Sequence, residues 1–344
     1  MNILFLIVLG AALAALYSWA FRTLPGERWQ FLAAAPAMQR GPGRFAGVNL
    51  TYYGFFSASA YTTGAALFLA MMGAVGVDFR ASLAVITLVV ALCAPASNLL
   101  VRIVEKKRYG FTVGGASFVG LFAAPGAAWL INRMGMEMPI APAVGAMATA
   151  YVLGEGVGRL ACISFGCCYG KPVAETTGWV RRLSERFAFT FEGDTKKIAF
   201  AAKMKGAPVV PIQAMTAVVY GLTAVVSIAL YLAGWYPLTI ALALGVSQVW
   251  RAYSETLRAD YRGEGGISAY QWMAVFATGV ALVVPFFVEP STGGLPRIVD
   301  GLRQLWSAEA ILFLQALWAV TFLYMGRSTQ TGAEMTFHIH ADRI

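Results

Sequence analysis

Long stretches without a single Asp, Glu, Lys or Arg recur along this chain, and they constrain its fold more than any other feature. Residues 2–21, 48–77, 81–101 and 109–132 carry no charge. Residues 139–153 are apolar and lead past Glu155 to Arg159. Residues 208–250 are uncharged throughout and too long for one helix; Gly234-Trp235-Tyr236-Pro237 divides them with turn chemistry and interfacial aromatics. Residues 266–288 and 310–325 complete the series. Segments of about 20 apolar residues cross a bilayer as helices, because lipid offers the backbone no other hydrogen-bond partner. The pattern predicts an all-α integral membrane protein, a polytopic helical bundle with about nine transmembrane helices.

Composition agrees. A mean hydropathy of +0.65 and a charged fraction of 12% exclude an ordinary soluble domain, in which about a quarter of residues are charged. The net charge of +9 then reads as contact with anionic lipid and as topology, and no aromatic-interleaved basic module points to nucleic acid. The first apolar stretch lacks a basic leader and a small-x-small cleavage site, so a retained helix is expected rather than a signal peptide.

The chain reads as a single membrane domain over 1–344, with no internal repeat. Its largest connection, 171–206, is a basic extramembrane loop; the mixture of aromatics and arginines over 179–191 fits either an amphipathic segment on the lipid surface or a solvated loop. Residues 22–44 and 290–306 form other connections, and the polar tail after Arg327 is expected to be loosely ordered. That tail holds both histidines, His338 and His340, and without a third ligand no metal is expected there. Basic residues concentrate in 22–44, 102–108 (Arg102, Lys106, Lys107, Arg108), 171–206, 251–266 and 327–344, which charge counting places in the cytoplasm.

Ionisable residues inside membrane segments are costly and usually functional. Glu155 and Arg159 are four apart, on one helical face, among Gly154, Gly156 and Gly158. Arg251, Glu255 and Arg258 follow at spacings of four and three and are expected to point the same way. Two arginines and two carboxylates at helix ends suit a phosphate at headgroup level, since guanidinium forks bind phosphate oxygens bidentately. Mutual neutralisation within a bundle is the simpler alternative. The glycines would admit a headgroup or a neighbouring helix. Cys93 lies alone in an apolar span, whereas Cys162, Cys167 and Cys168 cluster in sequence. The Cys167-Cys168 pair fits packing beside a glycine turn, a nucleophile at Cys167 carrying a transient lipid adduct, or metal or redox pairing. Packing is the favoured reading, and neither a cofactor nor a metal is expected.

The order of motifs resembles the prolipoprotein diacylglyceryl transferase family, integral enzymes of the bacterial inner membrane. Thr51-Tyr52-Tyr53-Gly54 is similar to the aromatic Tyr-Gly motif of the family's first core helix. Gly115-Ala116-Ser117-Phe118-Val119-Gly120 resembles its Gly-rich Ser-Phe-His-Gly segment. Gly158-Arg159-Leu160 through Tyr169-Gly170 matches the frame of its Gly-Arg…Gly motif, and Pro211-Ile212-Gln213 resembles its His-Pro-x-Gln segment. Arg251 through Arg258 matches its Arg-x-x-x-Glu-x-x-Arg helix. The resemblance covers about 48–288, a seven-helix transferase-like core, with one extra helix at each end. Val119 and Val210 stand where the family has histidines, Cys162 replaces an asparagine and Cys167 an acidic residue. The Gly-Cys-Cys-Tyr-Gly run marks a divergent branch.

The resemblance implies transfer of the diacylglyceryl unit of phosphatidylglycerol, or a related anionic phospholipid, to the thiol of a lipobox prolipoprotein or to another acceptor. A catalytically inactive lipid-binding membrane protein is the competing reading. Under the transferase reading Arg159 and Arg251 would hold the phosphate and Glu255 would orient Arg251. Glu155 or Glu255 would serve as base, and Tyr53 would give the headgroup a hydrogen bond. Gly158, Gly170, Arg258 and Gln213 would complete the substrate site. The family's pockets open toward the outer leaflet, the side opposite to the one charge counting selects.

Overall fold

The computed structural model describes residues 1–104, 113–260, 267–287, 294–338 and 340–343. The charges at Lys106, Lys107 and Arg108, and much of the connection after Asp260, lie outside the described residues. Helix α1 spans Asn2–Thr23. Strands β1 (Phe31–Gly41) and β2 (Arg44–Thr51) form a hairpin, and α2 follows over Tyr52–Ala74. Helices α3 (Phe79–Val104), α4 (Val113–Arg133) and α5 (Ile140–Phe165) come next. The basic connection then folds into α6 (Gly178–Phe187), β3 (Phe189–Thr190), α7 (Lys197–Ala202) and β4 (Pro208–Val209). Helices α8 (Ile212–Leu232), α9 (Tyr236–Glu255), α10 (Ala269–Val283), α11 (Ile298–Leu305) and α12 (Ala308–Met325) precede strand β5 (Arg327–Thr336).

Among the described residues, seven helices are long and apolar enough to cross a membrane: α1, α2, α3, α4, α5, α8 and α12. Helix α9 has the length, but its last two turns carry Arg251 and Glu255, and α10 has 15 residues. Every apolar segment read from the sequence thus has its helix, and the chain is a multi-pass helical membrane protein. The division inside 208–250 falls at Gly234 and Trp235, as the turn residues predicted.

Helix α5 is the axis of the bundle, packed against α2, α8, α9 and α4. Close approach to α2 depends on paired glycines. A Cβ at Gly154 would lie 3.3 Å from the Ala60 carbonyl oxygen, and one at Gly64 would lie 3.2 Å from that of Ala150. Small residues of this kind let membrane helices gain van der Waals contact where lipid supplies no hydrophobic driving force. The axis is therefore sterically fixed, and side chains at its end are held in place.

The sheet was not foreseen. Strands β1, β2 and β5 form one antiparallel sheet in the order β1-β2-β5, with Pro42 and Gly43 as the hairpin loop. The connection at 22–44 and the tail after Arg327 are therefore ordered strands, and α2 begins at Tyr52 rather than Val48. Two features hid the sheet. Strand β1 contains Pro36 and shows no apolar alternation, its residues being almost all exposed, and β2 pairs with a partner nearly 300 residues away. Its job is mechanical: Thr51 N donates to Gly326 O at 2.9 Å, tying the start of α2 to the end of α12.

The 171–206 connection is an ordered cap. Helix α6 buries Val180 and Ser184 and exposes Trp179 and Phe187, so its amphipathic pattern is real, although Trp179 also stacks on Tyr253 with ring centroids 6.1 Å apart. The cap is secured from below by Lys196, whose Nζ donates to Leu24 O at 2.8 Å and Ser164 O at 2.9 Å and lies 5.6 Å from the centroid of the Phe191 ring. Burial pushes the Lys196 amine down to about 8.

Candidate active site

Glu155 and Arg159 lie in the last three turns of α5, and Arg251 near the end of α9. The spacing of four in α5 turns Glu155 and Arg159 to one side, where α9 crosses. Arg159 Nη2 pairs with Glu155 Oε1, and Arg251 Nη2 lies 3.4 Å from the same oxygen. One carboxylate oxygen thus sits between two guanidinium groups, all three side chains being largely removed from solvent. Arg251 Nη1 further donates to Tyr151 Oη at 3.1 Å and to Ser117 Oγ at 3.2 Å. Three helices, α4, α5 and α9, therefore fix a single arginine.

The two arginines line a narrow cleft of about 20 Å³, lined also by Gln213, Tyr220, Ser254, Glu255, Arg258 and Cys168. Gln213 Nε2 donates to Cys167 O at 2.9 Å, and Tyr220 Oη donates to Ser247 O at 2.9 Å. Among the described residues, Arg159 Nε and Gln213 Oε1 are buried without a hydrogen-bond partner. An unmet donor and an unmet acceptor thus belong to two side chains that line the same cleft. Such orphans are costly unless a ligand or water satisfies them.

Arg258 closes one end. It forms a bidentate pair with Asp260, both contacts at 2.7 Å, and lies 3.8 Å from Glu255. Backbone bonds hold this end of α9 against the turn that follows α5: Lys171 N donates to Leu257 O at 2.9 Å and Ala259 N to Tyr169 O at 3.0 Å.

The residues expected in the site are distributed over several places. Glu155 supplies a carboxylate to Arg251, the role expected of Glu255, and Glu255 lies 3.8 Å from Arg258, which follows the end of α9 by three residues. Arg251 and Arg258 accordingly serve different partners. Tyr53 is not among the cleft-lining residues. Its ring meets Phe165 edge-on at 5.8 Å, and it lies within electrostatic range of the three clustered cysteines. Gly158 and Gly170 are also not among the lining residues: a Cβ at Gly158 would make an ordinary contact with Ala60 at 3.6 Å, and one at Gly170 would lie 2.4 Å from Val210 O. Cys167 is buried, and the thiol-bearing residue lining the cleft is Cys168.

Reasoning from sequence missed Tyr151 and Asp260. Tyr151 stands four residues before Glu155, one helical turn along the same face, which was a legible signal. Asp260 follows Arg258 by two residues just past the helix end, where no periodicity applies. Ser117 was noted only as part of a motif. Neither histidine approaches the site, since both belong to the terminal segment beyond β5.

No curated protein matches the chain. The family model described as prolipoprotein diacylglyceryl transferase matches residues 44–287, well over half of the sequence and inclusive of every residue of the cleft. The chain belongs to the prolipoprotein diacylglyceryl transferase family of membrane transferases.

Proposed function

We propose that this protein transfers a diacylglyceryl group from phosphatidylglycerol to the thiol of a lipobox prolipoprotein at the bacterial inner membrane. The observation that carries the reading is the convergence of Arg159 and Arg251 on Glu155 at the edge of one cleft. A single carboxylate between two guanidinium groups leaves a net positive charge, which favours an anionic headgroup. The orphaned Arg159 Nε would donate to a phosphate oxygen, and the orphaned Gln213 Oε1 would accept from a hydroxyl of the glycerol headgroup. Phosphatidylglycerol offers both.

In this reaction a bond forms between the acceptor sulfur and the diacylglyceryl carbon, and the bond from that carbon to the phosphate oxygen breaks. Glycerol phosphate leaves with the electron pair, and the thiol proton passes to the medium. Guanidinium donors held in advance would stabilise the charge developing on the leaving phosphate. Glu155 is committed to two arginines, so its role is to position them rather than to accept the proton.

The acceptor is less fixed than the donor. Val119 and Val210 stand where the family motif has histidines, so the chemistry that prepares the acceptor differs here. That observation favours, as a second reading, the same donor with a different acceptor, or a lipid-binding role without turnover. The purified protein in phosphatidylglycerol micelles, given a lipobox peptide, is expected to add a diacylglyceryl mass to its cysteine. An unmodified peptide, with glycerol phosphate still released, would favour another acceptor; neither product would favour binding alone.

A further inference from the structure

The turn after α5 brings three thiols together. Gly166 ends the helix in the left-handed region (φ 65°), and Cys168 adopts the same region at φ 55°. A side-chain-bearing residue is strained there, typically by about 1–2 kcal/mol, so the surrounding fold must enforce it. The reversal returns Cys167 and Cys168 toward Cys162 on the preceding helical turn. The three Sγ atoms all lie within 4.8 Å of one another, and none is in a disulfide. No carboxylate or imidazole joins them among the described residues.

We propose that Cys162, Cys167 and Cys168 bind one thiophilic d10 cation, Zn(II) or Cu(I), through three thiolates. Hard cations are disfavoured because the cluster offers sulfur and no oxygen cage. Thiolates on a tetrahedral zinc, at about 2.3 Å from the metal, stand about 3.8 Å apart, so the sulfurs need draw in by about 1 Å at most. Charge is also provided for. Three thiolates leave such a centre anionic, and Arg159 lies within electrostatic range of Cys162 and Cys168, and Arg258 of Cys168. Tyr53 lies within electrostatic range of all three cysteines. Three protein ligands leave a fourth position open on zinc, the arrangement of reactive rather than closed structural sites. The inference does not depend on the identity of the lipid donor.

The test uses the full chain carrying His338→Ala and His340→Ala, purified anaerobically under reductant without a histidine tag. Zn(II) and Cu(I) are offered in separate arms against chromophoric chelators. One equivalent of either metal is expected to survive gel filtration. Cys162→Ser and Cys168→Ser should each weaken binding at least about 100-fold, the upper range seen when outer-shell partners alone are lost; Cys93→Ala should leave it unchanged. Monodisperse elution and an unaltered helical spectrum qualify each variant, and Cys168→Ser, outside the helix, decides if Cys162→Ser misfolds. Retention of neither metal, equal affinity in the serine variants, or a disulfide among these cysteines in the anaerobically isolated protein would overturn the proposal.

Discussion

Glu155 and Arg251, 96 residues apart, meet at 3.4 Å where α5 and α9 cross, and the same carboxylate oxygen also holds Arg159. The consequence is mutual dependence. Glu155 offsets the buried charge of both arginines, and both arginines offset that of Glu155.

Glu155→Gln should therefore be more damaging than an average core change. It leaves two buried guanidinium groups facing each other, and breaking a buried ion pair by removing one partner costs about 3–5 kcal/mol. Thermal unfolding in detergent should show a large loss for Glu155→Gln. The double variant with Arg251→Gln should lose less than the sum of the single changes. Strict additivity would mean that the two side chains are not energetically coupled.

Asp260 should behave as a support for Arg258. Charge-assisted hydrogen bonds are worth about 1.5–3 kcal/mol, so Asp260→Ala is expected to lower the unfolding temperature and to reduce turnover modestly. Arg258→Ala should resemble it in stability. Were Asp260→Ala silent in both readouts, the bidentate pair would have no role in holding the end of α9.

Lys196 gives the stability a defined pH dependence. The amine titrates near 8 when folded, against an ordinary value of 10.5. Below 8 both states carry the proton and the full cost of burying the charge is present. Between 8 and 10.5 the unfolded chain holds more protons than the folded one, so stability rises with pH across that window. Lys196→Met should abolish this rise. It should also lower stability at every pH, because the carbonyls of Leu24 and Ser164 lose their donor. A melting temperature that falls between pH 8 and 10 in the parent and not in the variant would contradict the assignment.

Gly170 separates a packing role from a place in the substrate site. A Cβ there meets backbone at 2.4 Å, which cannot rotate away. Overpacking of this kind costs about 1–3 kcal/mol. Gly170→Ala should destabilise the protein without changing the apparent affinity for lipid in the fraction that remains folded, as measured by lipid titration. A selective loss of lipid affinity would return Gly170 to the substrate site.

The helices were legible because hydrocarbon imposes a simple rule on sequence, and the charged residues at the ends of α5 and α9 were legible because they break it. The pairing among them was not. Spacing places Arg251, Glu255 and Arg258 on one face of one helix, but the partner of Arg251 comes from α5, and only the crossing of the two helices decides that. The same holds for the sheet, in which β2 and β5 find each other across the length of the chain. The three clustered cysteines show a third limit: their meeting depends on a left-handed turn at Cys168, a conformation that its residue type argues against.

The central claim is that the two arginines grip the headgroup phosphate during transfer. Release of labelled glycerol phosphate from phosphatidylglycerol by the purified protein, with a thiol acceptor present, measures it most directly. The account predicts release by the parent protein and a loss of at least about 100-fold in Arg159→Ala and in Arg251→Ala, the scale on which a preorganised electrostatic donor contributes, with both variants still folded. Release that persists unchanged in the folded arginine variants, or is absent from the parent protein, would contradict it.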